Sequence, residues 1–236
     1  MRALPAVKNL YAGSARGVRR TLARYGPEIE TPPVDHRWRH WAYSLGAVHD
    51  STALVELDVP WWTYRAAAEV HAWLAARPAP VTVFEYGSGA STVWLARRAE
   101  RVHSVEHHTA FARQMEQALA EHPHAAVRVV EPVRSPHPVV PSRKEGHAGL
   151  DFESYVGAID DVPGSFDLVV IDGRARESCL DAAVGRLRPD GMIVFDNSRR
   201  RRYREAIRRS GLHERVLRGL TPSLPYPEQT SLLRRP

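Results

Sequence analysis

The segment Glu85-Tyr86-Gly87-Ser88-Gly89 places an acid two residues before a pair of glycines, with Ser91 just beyond. Neither glycine carries a Cβ, so the chain can bend tightly there and bring its backbone against a ligand. A helix opening near Ser91 would aim free N–H groups at that ligand. Glu106 follows about twenty residues later, where a carboxylate can accept two hydrogen bonds from a sugar diol. Asp172-Gly173 and Asp196-Asn197 follow apolar runs further along, and His147 lies in a proline-rich stretch. Together they suggest a cleft that grips a nucleotide-like ligand.

Such a cleft needs an α/β scaffold. Apolar runs at 81–86, 101–105, 126–130, 166–171 and 192–195 read as buried strands. Helical stretches separate them, at about 91–98, 109–121, 177–187 and 203–210. Segments 212–220 and 229–233 read as a closing antiparallel hairpin. This alternation predicts a Rossmann-like, doubly wound sheet of seven strands, mostly parallel, with an antiparallel C-terminal strand. In open sheets of this kind ligands bind at the carboxyl ends of the strands. Glu85, Gly87, Glu106, Asp172, Asp196 and Asn197 all fall at such ends. The Arg188-Pro189-Asp190-Gly191 segment reads as a turn before strand five, and 131–150 as a long loop of the sort that closes over a site.

Residues 1–59 read as a helical N-terminal extension or cap, and 60–236 as the ligand-binding domain. Leu4, Val7, Leu10 and Tyr11 could line one helical face, and Thr31-Pro32-Pro33 reads as a linker. Trp38, Trp41, Tyr43, Trp61 and Trp62 make the next stretch aromatic, either a cap on the sheet edge or part of a roof over the site.

The 236 residues are 43% hydrophobic, which argues against wholesale disorder. No apolar run approaches the ~20 residues of a membrane span, and no secretory signal is legible, so the expected location is the cytoplasm. Cys179 is the single cysteine, which excludes a disulfide framework within the chain. The net charge of +6 rests on arginine, because Lys8 and Lys144 are the only lysines. A basic chain can bind nucleic acid. Here the charge is scattered, with no interleaved aromatics or recognisable nucleic-acid motif, and a coding bias toward arginine accounts for it.

Three motifs resemble class I S-adenosylmethionine-dependent methyltransferases. Glu85-Tyr86-Gly87-Ser88-Gly89 is similar to their first motif, Phe166 to Gly173 to their fourth-strand motif, and Leu187 to Val194 to their L-x-P-G-G turn, with Asp190 replacing the first glycine. The resemblance spans about Pro60 to Leu233. It implies a cofactor site in which Tyr86, Gly87, Ser88 and Gly89 run beside the methionine end and Glu85 supports the loop. Ser91 would face the methionine carboxylate. Glu106 would hold the ribose, His107 would lie near the adenine, and Asp172 would stand beside the sulfonium and the acceptor.

A narrower resemblance, to catechol-type O-methyltransferases, implies Mg²⁺ on Asp172, Asp196 and Asn197. Three hard oxygen donors plus waters suit that ion. The lysine base of those enzymes is missing: its place is Ala175, between Arg174 and Arg176, and arginine stays protonated. Proton transfer then falls to His147 or to a metal-bound water. Ile171 to Arg176, Asp196 to Ser198 and Gln229 to Leu232 also resemble a poorly characterised bacterial branch of the superfamily. The expected activity is methyl transfer to a small molecule, at a hydroxyl oxygen, with a basic rim of Arg174, Arg176 and Arg199 favouring an acidic acceptor. The rivals are an RNA methyltransferase and a non-catalytic cofactor-binding protein; oligomeric state is left open.

Overall fold

The computed structural model describes residues 30–47, 50–78 and 80–236. The N-terminal helix expected around Leu4 to Tyr11 lies outside them. Helices α1 (Arg37–Ser44), α2 (Ser51–Glu56) and α3 (Tyr64–Ala75) precede the sheet. Then follow β1 (Thr82–Tyr86), α4 (Ala90–Ala96), β2 (Arg101–Glu106), α5 (Thr109–Ala118) and β3 (Ala125–Val129). The short strands β4 (Val133–Arg134) and β5 (Leu150–Asp151) lead to α6 (Glu153–Gly157). The chain ends with β6 (Phe166–Ile171), α7 (Arg176–Arg186), β7 (Leu187–Phe195), α8 (Arg201–Arg209), β8 (His213–Gly219) and β9 (Glu228–Arg234).

Seven strands form one sheet in the order β3-β2-β1-β6-β7-β9-β8. The first five are mutually parallel, and β9 runs antiparallel to both neighbours. This is the expected Rossmann-like sheet with its antiparallel C-terminal strand. Every residue of β6 is buried, because helices cover both faces of a parallel sheet. On one face Phe84, Tyr86, Phe166, Val169, Ile171 and Phe195 pack against α6, α7 and α8. On the other, Val83, Leu168, Val170, Met192 and Val194 meet Trp62, Val70 and Leu74 around α3, with Trp94 and Leu95 from α4. No helix among the described residues is long and apolar enough to cross a membrane.

After β1 the chain builds outward through β2 and β3, then returns to lay β6 on the other side of β1. That reversal opens a crevice beyond the carboxyl ends of β1 and β6. Two expectations change in detail. The Arg188–Gly191 segment belongs to a longer β7, with Arg188, Pro189 and Asp190 facing solvent, because Leu187 already pairs with Phe166. A bulge between Phe166 and Leu168 absorbs the mismatch and leaves Asp167 buried there. Its carboxylate accepts from the Thr82 N–H, Arg77 and Arg188, each at 2.9 Å. The 131–150 loop is also pinned: Asp151 accepts from the N–H groups of Val139 at 2.7 Å and Val140 at 3.0 Å.

The aromatic N-terminal stretch divides. Trp62 is fully buried, edge-on to Trp94, while Trp61 borders the crevice. Trp41 Nε1 donates to the Leu224 carbonyl at 2.8 Å, and the Ser223 N–H donates to Ser44 Oγ at 2.9 Å. Helix α1 is thus fastened to the 220–224 connection between β8 and β9.

Candidate functional site

Gly87 leaves β1 at φ +95°, a conformation suited to glycine. A Cβ there would come within 2.5 Å of the Gly173 Cα, so the turns after β1 and β6 touch backbone to backbone. The Gly87 N–H donates to the Val105 carbonyl at 2.9 Å, and the Asp172 N–H to the Tyr86 carbonyl at 3.0 Å. Tyr86 is not among the residues that line the crevice: its ring is in the core and its hydroxyl donates to the Val156 carbonyl at 2.7 Å.

Glu85 also points inward. It is fully buried, and it accepts from Ser91 and Thr92 at 2.5 Å each and from Ser104 at 2.8 Å. Thr92 Oγ1 in turn accepts the Gly89 N–H at 2.9 Å. One carboxylate thereby braces the glycine turn and the first turn of α4. Burial pushes Glu85 up to about 7, against the pull of those hydroxyls.

Glu106 closes β2 at the mouth of the crevice. Oε2 accepts from the Ser88 N–H at 3.1 Å and the Ser88 hydroxyl at 3.2 Å. Oε1 accepts from the N–H groups of His107 at 2.9 Å and His108 at 3.0 Å. Burial pushes this carboxyl up, but the His107 ring and those N–H groups outweigh it and hold it below its ordinary value. Glu106 is therefore ionised at neutral pH, next to the turn it was expected to partner.

His147 stands at this same end. Its ring centroid is 5.7 Å from that of His107 and 5.9 Å from that of Phe152. Burial lowers its pKa, opposed by a hydrogen bond to the Glu145 carbonyl, and nearby Arg174 lowers it further. His147 and His107 form an aromatic wall beside Glu106.

At the other end, Asp172 and Asp196 follow β6 and β7. The residues do not fit a metal: the Arg176 guanidinium is inserted between the two carboxylates. Nη2 bonds Asp172 Oδ1 at 2.6 Å, and Nη1 lies 3.9 Å from Asp196 Oδ2. Asp196 Oδ1 accepts from Thr230 at 2.8 Å. Asn197, at φ +50°, has Oδ1 3.4 Å from Arg200 Nη2. Among the described residues no group of three His, Cys, Asp or Glu is arranged to hold a metal. Burial pushes Asp172 up against the pull of Arg176, and burial together with the Asp172 charge pushes Asp196 up to about 8.

The crevice holds about 720 Å³. Gly87 to Ser91, Glu106, His107, His147 and Asp172 line it, as do Asp196 and Asn197. Three kinds of lining residue escape a linear reading. Gly173 is needed for close backbone contact, signalled only by its place after Asp172. Arg176 looked like rim charge but is buried. Phe111, Tyr203 and Tyr226 come from segments distant in sequence and carried no local signal, whereas Trp61 belongs to the aromatic stretch read as a cap or as part of a roof.

Residues 84–198 match a family model described as a methyltransferase domain. No curated protein matches the chain. Among solved structures, a methyltransferase-like protein from Silicibacter pomeroyi aligns at 26% identity and TM-score 0.48, covering 72% of this chain and 87% of that one. The precorrin-6Y C5,15-methyltransferase of Geobacter metallireducens aligns at 15% identity and TM-score 0.48, over 72% and 88%. A Streptococcus mutans protein in complex with SAH aligns at 9% identity and TM-score 0.47, over 70% and 96%. The family match spans the glycine turn, Glu106, Asp172 and Asp196, so residues 84–198 of this chain are similar to a methyltransferase domain, and the strand order opens the crevice beside them.

Proposed function

We propose that this enzyme methylates a hydroxyl oxygen of a small anionic molecule. The donor set fits the cofactor: a Cβ-free turn, an ionised Glu106 bonded to that turn, and an imidazole wall beside it. Gly87, Ser88 and Gly89 would pass the methionine end, Glu106 would take the ribose hydroxyls, and His107 with His147 would flank the base. S-adenosylmethionine supplies an electrophilic methyl group. His147 is assigned here to the nucleoside end rather than to proton transfer, because its ring packs beside His107.

Asp172 then faces the acceptor. With the cofactor bound, its sulfonium would supply the methyl group, and the Asp172 carboxylate would take the proton of the acceptor hydroxyl. Burial raises the basicity of that carboxylate. The protein's main contribution is positioning and exclusion of water.

The observation favouring an anionic acceptor is Arg174, which lines the crevice with its Nε buried and unpaired among the described residues. A buried donor without a partner is costly, and an acceptor carboxylate or phosphate would satisfy it. Arg143, Arg200 and Arg202 border the same space. The test is transfer of labelled methyl to a panel of hydroxy acids, phosphorylated alcohols and RNA. Label on the acids or phosphates is expected. Label on RNA alone would overturn the small-molecule reading, and no cofactor binding at millimolar concentration would overturn the cofactor assignment.

A further inference from the structure

Among the described residues, Arg176 is the one cation buried between the ends of β6 and β7. Its side chain is only 6% exposed, and each guanidinium nitrogen is engaged. Nε donates to the Gly173 carbonyl at 3.0 Å, and Nη1 to the Asp196 carbonyl at 2.6 Å. Nη2 donates to both the carbonyl and Oδ1 of Asp172, at 2.5 and 2.6 Å. The Tyr203 ring lies 5.8 Å from the guanidinium carbon. Asp172 and Asp196 hold Arg176 in its charged form despite its burial.

A planar fork with several fixed donors can bridge two strand ends in a way that a point charge cannot. A divalent ion would need both carboxylates turned onto one point at about 2.1 Å for Mg²⁺. Here the guanidinium fills the gap, Thr230 draws one Asp196 oxygen away, and Asn197 bonds Arg200. Metal entry would leave the arginine charge buried and unpaired, which is strongly unfavourable.

We propose that Arg176 is the resident cation of this crevice: it occupies the place a metal would need, fixes Asp172 toward the acceptor, and makes the site independent of divalent ions. Arg176 is thus a positioning residue. Its role in transfer rests on the reading of Asp172 given above, whereas the exclusion of metal rests on the geometry alone.

The experiment is a Mn²⁺ titration of the full chain followed by electron paramagnetic resonance, beside calorimetry with S-adenosylhomocysteine in EDTA and in Mg²⁺. The wild type is expected to take up no Mn²⁺ at these carboxylates and to bind S-adenosylhomocysteine with the same affinity in both buffers. Arg176→Ala should gain Mn²⁺ binding, which Arg176→Ala/Asp196→Asn loses again, while Arg176→Lys should exclude Mn²⁺ as the wild type does. Mn²⁺ uptake by the wild type that disappears in Asp172→Asn overturns the inference. So does an Arg176→Ala protein that still binds S-adenosylhomocysteine and takes up no Mn²⁺. If Arg176→Ala fails to fold, the wild-type and Arg176→Lys titrations still decide. Failure of the wild type to bind S-adenosylhomocysteine would strike the cofactor assignment and leave the metal result standing.

Discussion

The N–H of Ser88 donates to the carboxylate of Glu106 at 3.1 Å, joining the turn after β1 to the end of β2. The contact orders this end of the crevice, because a single ionised group both anchors the turn and lines the crevice. Glu106→Ala should weaken S-adenosylhomocysteine binding about 10- to 100-fold, the scale of hydrogen bonds to a charged group. Glu106→Gln should lose less, since an amide oxygen still accepts from Ser88. Calorimetry measures both, and an unchanged affinity in the alanine variant would remove Glu106 from the site.

Glu85 predicts a pH dependence. Its folded-state pKa of about 7 lies above that of an exposed glutamate, so in between the native state holds a proton that the unfolded chain has lost. Its contribution is present in acid and lost as pH rises through about 7. Asp196 acts in the same direction up to about 8, while His40, His103 and His147, whose pKa values burial lowers, act oppositely. The difference between wild type and Glu85→Gln isolates Glu85. Urea unfolding at several pH values from 5 to 8 should show a wild type that loses stability relative to the variant as pH rises. Parallel profiles would mean that Glu85 is ionised throughout.

Gly173→Ala should destabilise the protein by about 1–3 kcal/mol, the usual cost of overpacking. The new Cβ would lie 2.1 Å from the Tyr155 hydroxyl and 3.0 Å from the Gly87 nitrogen. Tyr155→Phe in the same chain should recover part of the loss by removing the nearer atom. A double-mutant cycle in thermal unfolding checks this, and strict additivity would show that the two residues do not meet.

Asp167→Ala should cost about 1–3 kcal/mol, because it removes from a buried bulge the acceptor of the Thr82 N–H and of Arg77, which keeps only Asp190. Asp190→Gly, which restores the glycine of the resembled turn, should cost under about 1 kcal/mol. Its ion pair with Arg77 is short, 2.7 Å, but the Asp190 side chain is 69% exposed. Denaturant midpoints distinguish the two, and equal losses would show that the bulge is not the critical feature.

Much of the scaffold was legible because buried parallel strands must be continuously apolar and must end in polar turns. The β6 boundaries, 166–171, were read to the residue for that reason. The start of β7 was misread because Arg188, Pro189 and Asp190 have the composition of a turn, and only pairing with β6 reveals an exposed strand end. The Asp196–Ser198 and Gln229–Leu232 segments stood out separately. Their relation emerges only in the fold, where Gln229 Nε2 donates to Ser198 Oγ at 2.8 Å and Thr230 to Asp196.

By itself, then, the sequence determined the strand–helix alternation and the polar residues at the strand ends, since hydrophobic periodicity and turn chemistry act over a few neighbouring residues. Tertiary structure alone decided which of those polar residues face the crevice. Glu85 turned inward to brace a loop, Glu106 came to line the crevice, and Arg176 came to rest between two aspartates. Those outcomes depend on which strands lie side by side and on how buried charges find partners, a matter of long-range packing that no local pattern encodes.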